Sequence, residues 1–337
     1  VHDGKTGNKT AGFDNNNRDR QWNGYAEDDP KRDNSITARA IDFIEDSLVK
    51  EQPFFLQLSH YAVHSNLVYS EDSFKEVGNW EKGELHLNRA YAAMVRDLDL
   101  SIGDLLKAYD ALDLKSSTYV ILVSDNGGMP VLPPKNKRGM PYDPGLNSPL
   151  LRGKWDLMEG GIRIPFAISG PSIEPASQSD VPVVTHDILP TLADLAGTAE
   201  GLPKEIDGGS LVPLLRQNKD VVARASNSLV FHYPHYNLSG MSEPHSAIRF
   251  GDYKLVDFPV SGRQLLFNIK KDIGESNDLS AERVDLVNFL DEKMKSYLLS
   301  VDAERPEDAS NWKTRGKSGA VRTKFFKRYK SDRANER

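Results

Sequence analysis

Three short polar runs in this chain carry side chains that could do chemistry. Asp125 and Asn126 are followed by Gly127 and Gly128. A carboxylate beside a carboxamide offers hard oxygen ligands of the kind Ca2+ or Mg2+ takes, and glycines let the backbone turn sharply away from such a site. On its own the run is equally a plain Asn-Gly turn. Ser59, His60, Tyr61, Ala62, Val63 and His64 form the second run, in which a histidine could hand a proton to a leaving group near neutral pH, or simply be a core or surface residue. The third run is Arg152, Gly153 and Lys154, followed by Glu159, Gly160, Gly161, Ile162, Arg163, Ile164 and Pro165. Lysine is a compact cation able to hold an anionic oxygen, although a basic loop would read the same way. Further on, His232, Tyr233, Pro234 and His235 combine imidazole and aromatic groups suited to sugar faces and hydroxyls, with a structural role equally open.

The elements around these runs are predicted to place them at strand ends. Residues 54–58 (Phe-Phe-Leu-Gln-Leu) read as a buried strand leading to the histidine run, and the β-branched residues 118–123 read as a central strand leading to Asp125. A helix capped by Ser35 is expected over residues 36–48, with Ile36, Ala40, Phe43, Ile44 and Leu48 on one face. A second, over residues 88–109, has Met94, Leu98, Ile102 and Leu105 on its apolar face. A strand is expected at 164–169 and a helix at 186–195, closed by Gly197. Alternating strands and helices argue for an α/β layer fold with a mostly parallel sheet, whose ligands sit at the carboxyl ends of the strands. After Gln217 the pattern changes to short strands near 229–231, 246–250, 253–258 and 265–268, then a helix over 284–299: a small α+β subdomain with antiparallel strands.

Composition narrows the classes. The 337 residues are 38% hydrophobic and 27% charged, as in a globular protein, and no apolar run is long enough to span a bilayer. There is no cysteine, which excludes disulfides, thiolate metal sites and cysteine nucleophiles within these residues. Ten Lys/Arg against two Asp/Glu from Ser310 onward make a tail of +8 within a chain of net −6. Such a tail is read as a solvated, disordered terminus rather than a nucleic-acid contact.

Taken in order, the Ser124-Asp125-Asn126-Gly127-Gly128 run after a strand, then Arg152-Gly153-Lys154, then the Glu159 to Pro165 run resemble the sulfatase family. The likeness extends to Tyr91, Ala92, Ala93, Met94 and Val95 with Asp99. It takes in His186, Asp187, Ile188, Leu189, Pro190, Thr191 and Leu192, then Asp207 and Gly208, and finally the run from Ile248 to Leu255. It covers roughly residues 1–300.

The resemblance implies an alkaline-phosphatase-like α/β fold, its mostly parallel sheet flanked by helices, with a C-terminal antiparallel sheet and helix. It divides the chain into a main domain at 1–217, a subdomain at 218–305 and the basic tail at 306–337. It implies hydrolysis of sulfate esters on a sulfated carbohydrate or aryl sulfate, with Ca2+ (or Mg2+) and a formylglycine nucleophile. Asp125 and Asn126 match metal ligands, His64 the histidine that protonates the leaving alcohol, and Lys154 a sulfate-binding lysine, with His232 and His235 as substrate-pocket candidates. Physically, cations neutralise the sulfuryl oxygens while the histidine assists the leaving oxygen. His60 is expected to be structural. The family's C/S-x-P-x-R motif and its Gly-Lys-Trp-His segment do not occur in the sequence, and the Asp-Asp metal pair that precedes that motif in the family is missing with it. The expectation is therefore of an N-terminally truncated sulfatase, inactive as these residues alone, and periplasmic or secreted in its full form. A phosphoester hydrolase or phosphotransferase of the same superfamily is the runner-up, although such proteins often carry Asp-His where Asp125-Asn126 stand. A non-catalytic sulfated-glycan-binding homologue is the third reading. No nucleic acid and no membrane span are expected.

Overall fold

The computed structural model describes residues 25–64, 67–81, 88–129, 147–217, 220–235 and 243–305. The basic tail, and the sequence before residue 25, lie outside these. The described residues form two compact units, one of residues 25–119 and the other of residues 120–129 and 147–305.

In the first unit, helices α1 (Asp33–Val49), α2 (Glu71–Val77) and α3 (Arg89–Ala111) surround a two-residue parallel pair, β1 (Tyr25–Ala26) with β2 (Val68–Tyr69). Helix α3 starts as its sequence requires, with the Asn88 side chain accepting from the Tyr91 N–H at 2.9 Å. Helix α1 starts differently from expectation. Ser35 is not its cap. Asp29, six residues upstream, accepts from the backbone N–H groups of Asn34 and Ser35 and from the Ser35 hydroxyl. The carboxylate reaches the orphan amides of the first turn from outside the helix, which no local spacing announces.

The face of α1 that is buried is small and polar: Thr37, Ala40, Ile44 and Ser47 go inside, while Phe43 and Leu48 stay exposed. Polar contacts join α1 to α3, Thr37 Oγ1 lying 2.7 Å from Ser101 Oγ, whose hydroxyl donates to the Asp33 carbonyl at 2.9 Å. Met94 and Ala90 of α3 pack with Leu67, and Ala62 and Val63 lie against that cluster. The segment carrying His64 is thus seated on α3. Residues 54–58, read above as a buried strand, belong to no ladder among the described residues, and Phe55 is 68% exposed. An apolar run forms a strand only where a partner meets it, and none of the described strands does.

In the second unit, β3 (Val120–Val123) pairs with β4 (Phe166–Ser169), and the pairing is antiparallel. Leu122 is 49% exposed, and among the described residues β3 is flanked on one side only, by β4. Among the described residues, parallel pairing is confined to β1 and β2. Beyond a short α4 (Glu159–Ile162), α5 (Ile188–Leu195) and α6 (Val212–Gln217) come β5 (Leu229–Tyr233), β6 (His245–Phe250), β7 (Tyr253–Phe258) and β8 (Arg263–Asn268), then α7 (Val284–Ser300). The four strands form an antiparallel meander in chain order. Side-chain alternation gives it two apolar faces. Ile248, Leu255 and Leu266 pack on Val287, Leu290 and Met294 of α7, while Ala247, Val256 and Phe267 pack on Leu157 and Met158. Both faces are covered, which explains why these strands read as continuous apolar runs.

Asp33 supplies a testable electrostatic consequence. Burial, with Asp29 and Asp97 nearby, pushes its carboxyl up to about 7 against the pull of Lys31 and the Ala62 N–H. The folded value lies above the unfolded one of about 3.9, so the folded state holds the extra proton, and the stability this confers is full below about pH 4 and lost as pH rises through 7. Urea unfolding at pH 4, 6 and 8 should show the wild type losing about 2–4 kcal/mol across that range relative to Asp33→Asn. Parallel stability curves for the two proteins would show that Asp33 ionises normally.

Candidate functional site

The site is built at the end of β3, where the chain leaves the ladder as Ser124, Asp125 and Asn126. Ser124 Oγ donates to the Asn126 carbonyl at 3.0 Å and the Asn126 N–H to Asp125 Oδ1 at 2.9 Å, so the turn is closed by its own side chains. The Asn126 amide group donates to the Gly127 carbonyl at 2.9 Å. With its N–H end held there, the oxygen end of that amide is the part left to meet a cation, next to an exposed carboxylate. These are two hard-oxygen donors of the type Ca2+ accepts, against the six to eight that it requires. Among the described residues no group of three or more His, Asp or Glu side chains could hold a metal. The dyad fits the chemistry of a calcium site as part of a ligand set.

The run from Arg152 to Ile162 is laced directly onto that turn. The Lys154 N–H donates to the Gly128 carbonyl at 2.9 Å, and the Gly127 N–H to the Gly161 carbonyl at 3.0 Å. Backbones this close leave no room for side chains. A Cβ on Gly127 would lie 1.7 Å from the Gly160 carbonyl oxygen, and one on Gly160 would lie 2.4 Å from that of Arg152. The glycines of the two runs are therefore needed where the runs meet. Lys154 itself is half-buried, its ammonium 5.9 Å from the centre of the Trp155 ring. Arg152 and Trp155 on either side hold left-handed backbone, at φ 65° and 75°. Conformations of this kind cost about 1–3 kcal/mol each in bulky residues and persist where surroundings fix them. Here Arg152 is fixed by its guanidinium, which donates to Asp156 at 3.0 Å.

Beneath this loop lies a buried ionic triad. Lys254, fully buried on β7, places its ammonium 3.0 Å from Glu159 and 2.8 Å from Glu275, while the Glu159 N–H donates to Glu275 at 2.7 Å. Burial pushes both carboxyls up. At Glu159 the charge and hydrogen bond of Lys254, with Arg163, outweigh burial and hold the group below its usual range; at Glu275 burial prevails. His245 braces the same stretch, its Nε2 accepting the Leu157 N–H at 2.9 Å and its Nδ1 facing the Glu243 carbonyl at 2.6 Å, the arrangement of a neutral imidazole.

Each of the remaining sequence candidates has its own surroundings within its unit. His64 is exposed, its N–H bonded to the Tyr61 carbonyl at 3.0 Å, in the first unit. His60 lies 3.2 Å from Thr37 Oγ1, and burial lowers its ring pKa. His232 has both ring nitrogens engaged, with Ser246 Oγ at 2.8 Å and the Glu304 carbonyl at 2.7 Å. His235 stands edge-on to Tyr233, ring centres 5.4 Å apart, and burial lowers its pKa. Asp187 is occupied structurally: Arg224 and the N–H groups of Gly209 and Val184 all donate to it. Sequence reading missed Glu275, His245 and Asn147, whose side chain bridges the two glycine runs; isolated residues of these types carry no spacing signature.

The chain is similar to known proteins over most of its length. A family model described as Sulfatase matches residues 4–198, and one described as N-sulphoglucosamine sulphohydrolase, C-terminal, matches residues 153–303. A sulfatase of Formosa agariphila is 30% identical over 286 residues, covering 78% of this chain and 49% of its own length. Human steryl-sulfatase is 30% identical over 274 residues, covering 73% and 43%. The crystal structure of Ps i-CgsB in complex with k-i-k-neocarrahexaose superposes with a TM-score of 0.65 at 25% identity, over 81% of this chain and 56% of that one. The chain thus spans about half the length of the curated relatives it matches.

The triad yields a stability test. Lys254→Met leaves Glu275 buried without its cation, and chemical denaturation should register a loss of about 3–5 kcal/mol. A loss under about 1 kcal/mol would mean that the glutamates rearrange or take up protons without strain.

Proposed function

Because this chain belongs to the sulfatase family, we propose that it serves the hydrolysis of sulfate esters on a sulfated carbohydrate, with Lys154 and the Asp125-Asn126 turn as its part of the catalytic site. The observation that carries the reading is the 2.9 Å bond from the Lys154 N–H to the Gly128 carbonyl, which ties an anion-binding cation to a hard-oxygen turn. A sulfate ester needs this pairing, because negative charge on the sulfuryl oxygens must be neutralised while the ester oxygen departs.

In this reading Asp125 and Asn126 would help to hold Ca2+, which when bound withdraws charge from the sulfuryl oxygens. Lys154 binds a sulfate oxygen as a point charge. His64 gives a proton to the leaving alcohol, a role suited to an exposed imidazole. His235, with Tyr233, would stand against the carbohydrate; His232 is already committed to Ser246 and Glu304 and would act by holding the strand. The attacking group would be a formylglycine, which these 337 residues cannot supply, since they contain no cysteine and no C/S-x-P-x-R motif. β3 would belong to the mostly parallel sheet of the alkaline-phosphatase-like fold, and action on an extracytoplasmic glycan would place the protein in the periplasm or outside the cell. Support for a carbohydrate substrate comes from Ps i-CgsB, the neighbour solved with a neocarrahexaose.

The test uses the 337 residues as a folded chain, with Ca2+, an aryl sulfate and a panel of sulfated glycans. Inorganic sulfate should bind and Lys154→Ala should weaken the binding strongly without removing it, while turnover should be absent for want of the attacking group. Turnover by these residues alone would overturn the assignment of the nucleophile. Failure to bind sulfate would overturn the reading of Lys154.

A further inference from the structure

Building on that reading, we infer that Asn147 is a positioning residue, the side chain that fixes Lys154 relative to the Asp125-Asn126 turn. Its amide touches both glycine runs at once. Asn147 Oδ1 accepts the Gly128 N–H at 2.9 Å. Its Nδ2 donates to the Gly128 carbonyl at 2.9 Å, to the Arg152 carbonyl at 3.0 Å and to the Met129 carbonyl at 3.3 Å. One side chain therefore supplies an acceptor and an NH2 group with two donors to a single peptide neighbourhood, whereas a hydroxyl has one donor only, an ionised carboxylate none, and an ammonium no acceptor.

Two of these contacts matter for position. The Gly128 carbonyl that receives the Asn147 amide is the same oxygen that receives the Lys154 N–H at 2.9 Å. The Arg152 carbonyl belongs to a residue held at φ 65°, two positions before the lysine. Asn147 thus clamps the backbone ahead of Lys154 and the backbone after Asn126 through one rigid group. It is half-buried, so water competes with it only in part, and without it these carbonyls and the Gly128 N–H would lack the bridging group. Lys154 would remain joined to Gly128 by its own N–H, but the left-handed turn at Arg152 would lose one of its restraints. Asn147 touches no substrate atom in this account. It acts through Lys154.

The experiment titrates inorganic sulfate by calorimetry into four forms of the 337-residue chain: wild type, Asn147→Ala, Lys154→Ala and the double variant, with melting followed in parallel. Asn147→Ala should weaken sulfate binding about tenfold while the chain stays folded. The double variant should be no weaker than Lys154→Ala alone, because a residue acting only through the lysine has nothing left to position. Should Asn147→Ala fold poorly, Asn147→Asp keeps the size and the acceptor oxygen but turns charge toward three carbonyls, and it should show the same weakening in a folded chain. Wild-type affinity in a folded Asn147 variant overturns the inference and leaves the sulfate reading intact. A further loss beyond Lys154→Ala in the double variant also overturns it, by showing that Asn147 acts elsewhere. A wild-type chain that binds no sulfate overturns the sulfate reading and the inference with it.

Discussion

One buried cation organises the second unit. Lys254 sits on the face of β7 turned toward Leu157 and Met158, fully out of water, and it is neutralised from two directions by Glu159 and Glu275. Taking such a charge out of water costs several kcal/mol, and its partners recover that only when the geometry is good. The net gain over an apolar triad of equal volume is therefore small. What the triad does provide is register: an ammonium between two carboxylates tolerates little sliding, whereas Leu157 and Met158 would pack acceptably on the sheet over a range of positions. Glu159 opens the short turn that contains Gly160 and Gly161, so the position of the charge becomes the position of the glycines.

From there the constraint passes by backbone contact. Gly161 receives the Gly127 N–H, the Gly160 N–H bonds to the Leu151 carbonyl, and the Lys154 N–H reaches Gly128. The Asp125-Asn126 turn rests on peptide groups in direct contact, bridged by the single Asn147 side chain, and its reference frame is a four-stranded sheet with both faces packed. A site assembled in this way keeps its flexible side chains, Lys154 and Asp125, on stiff backbone. That is the arrangement required when chemistry demands placement within a fraction of an ångström.

How much of this was legible in the sequence follows from the range of the interactions involved. Helices α3 and α7 and the strands of the meander announced themselves because their signals are local: a 3.6-residue apolar period, an Asn88 cap, and apolar runs broken by turns. The start of α1 was misread because Asp29 caps it from outside the helix. The strand at β3 was found as expected, whereas residues 54–58 pair with no strand among the described residues, because a strand's surroundings are decided by the partner it meets, which composition does not encode. The glycines after Asn126 were read as a sharp turn, and what the sequence did not show is that they lie directly against Gly160 and Gly161. Lys254 was noticed only as part of a motif. Its two glutamate partners lie 95 and 21 residues away in the chain, and nothing in their own neighbourhoods marks either as paired.

The stiffness of the loop can be weighed against what it would have to accomplish. For a unit cation and a unit anion at an effective dielectric of about 20, the attraction is ~4 kcal/mol at 4 Å and ~3 kcal/mol at 6 Å. A drift of roughly 2 Å in an ammonium thus changes anion binding by about tenfold. An unrestrained lysine samples displacements of that size freely through its four-carbon stem. Left-handed backbone at Arg152 and Trp155 shortens that freedom at its root, since it fixes the direction in which the Lys154 stem leaves the chain. The strain of those two residues, of order 1–3 kcal/mol each, is similar in size to the electrostatic gain from holding the charge in place. The loop would be a poor bargain in a structural connector, where relaxed backbone would serve equally well. Its cost is understandable where the direction of one ammonium group decides how firmly an anion is held.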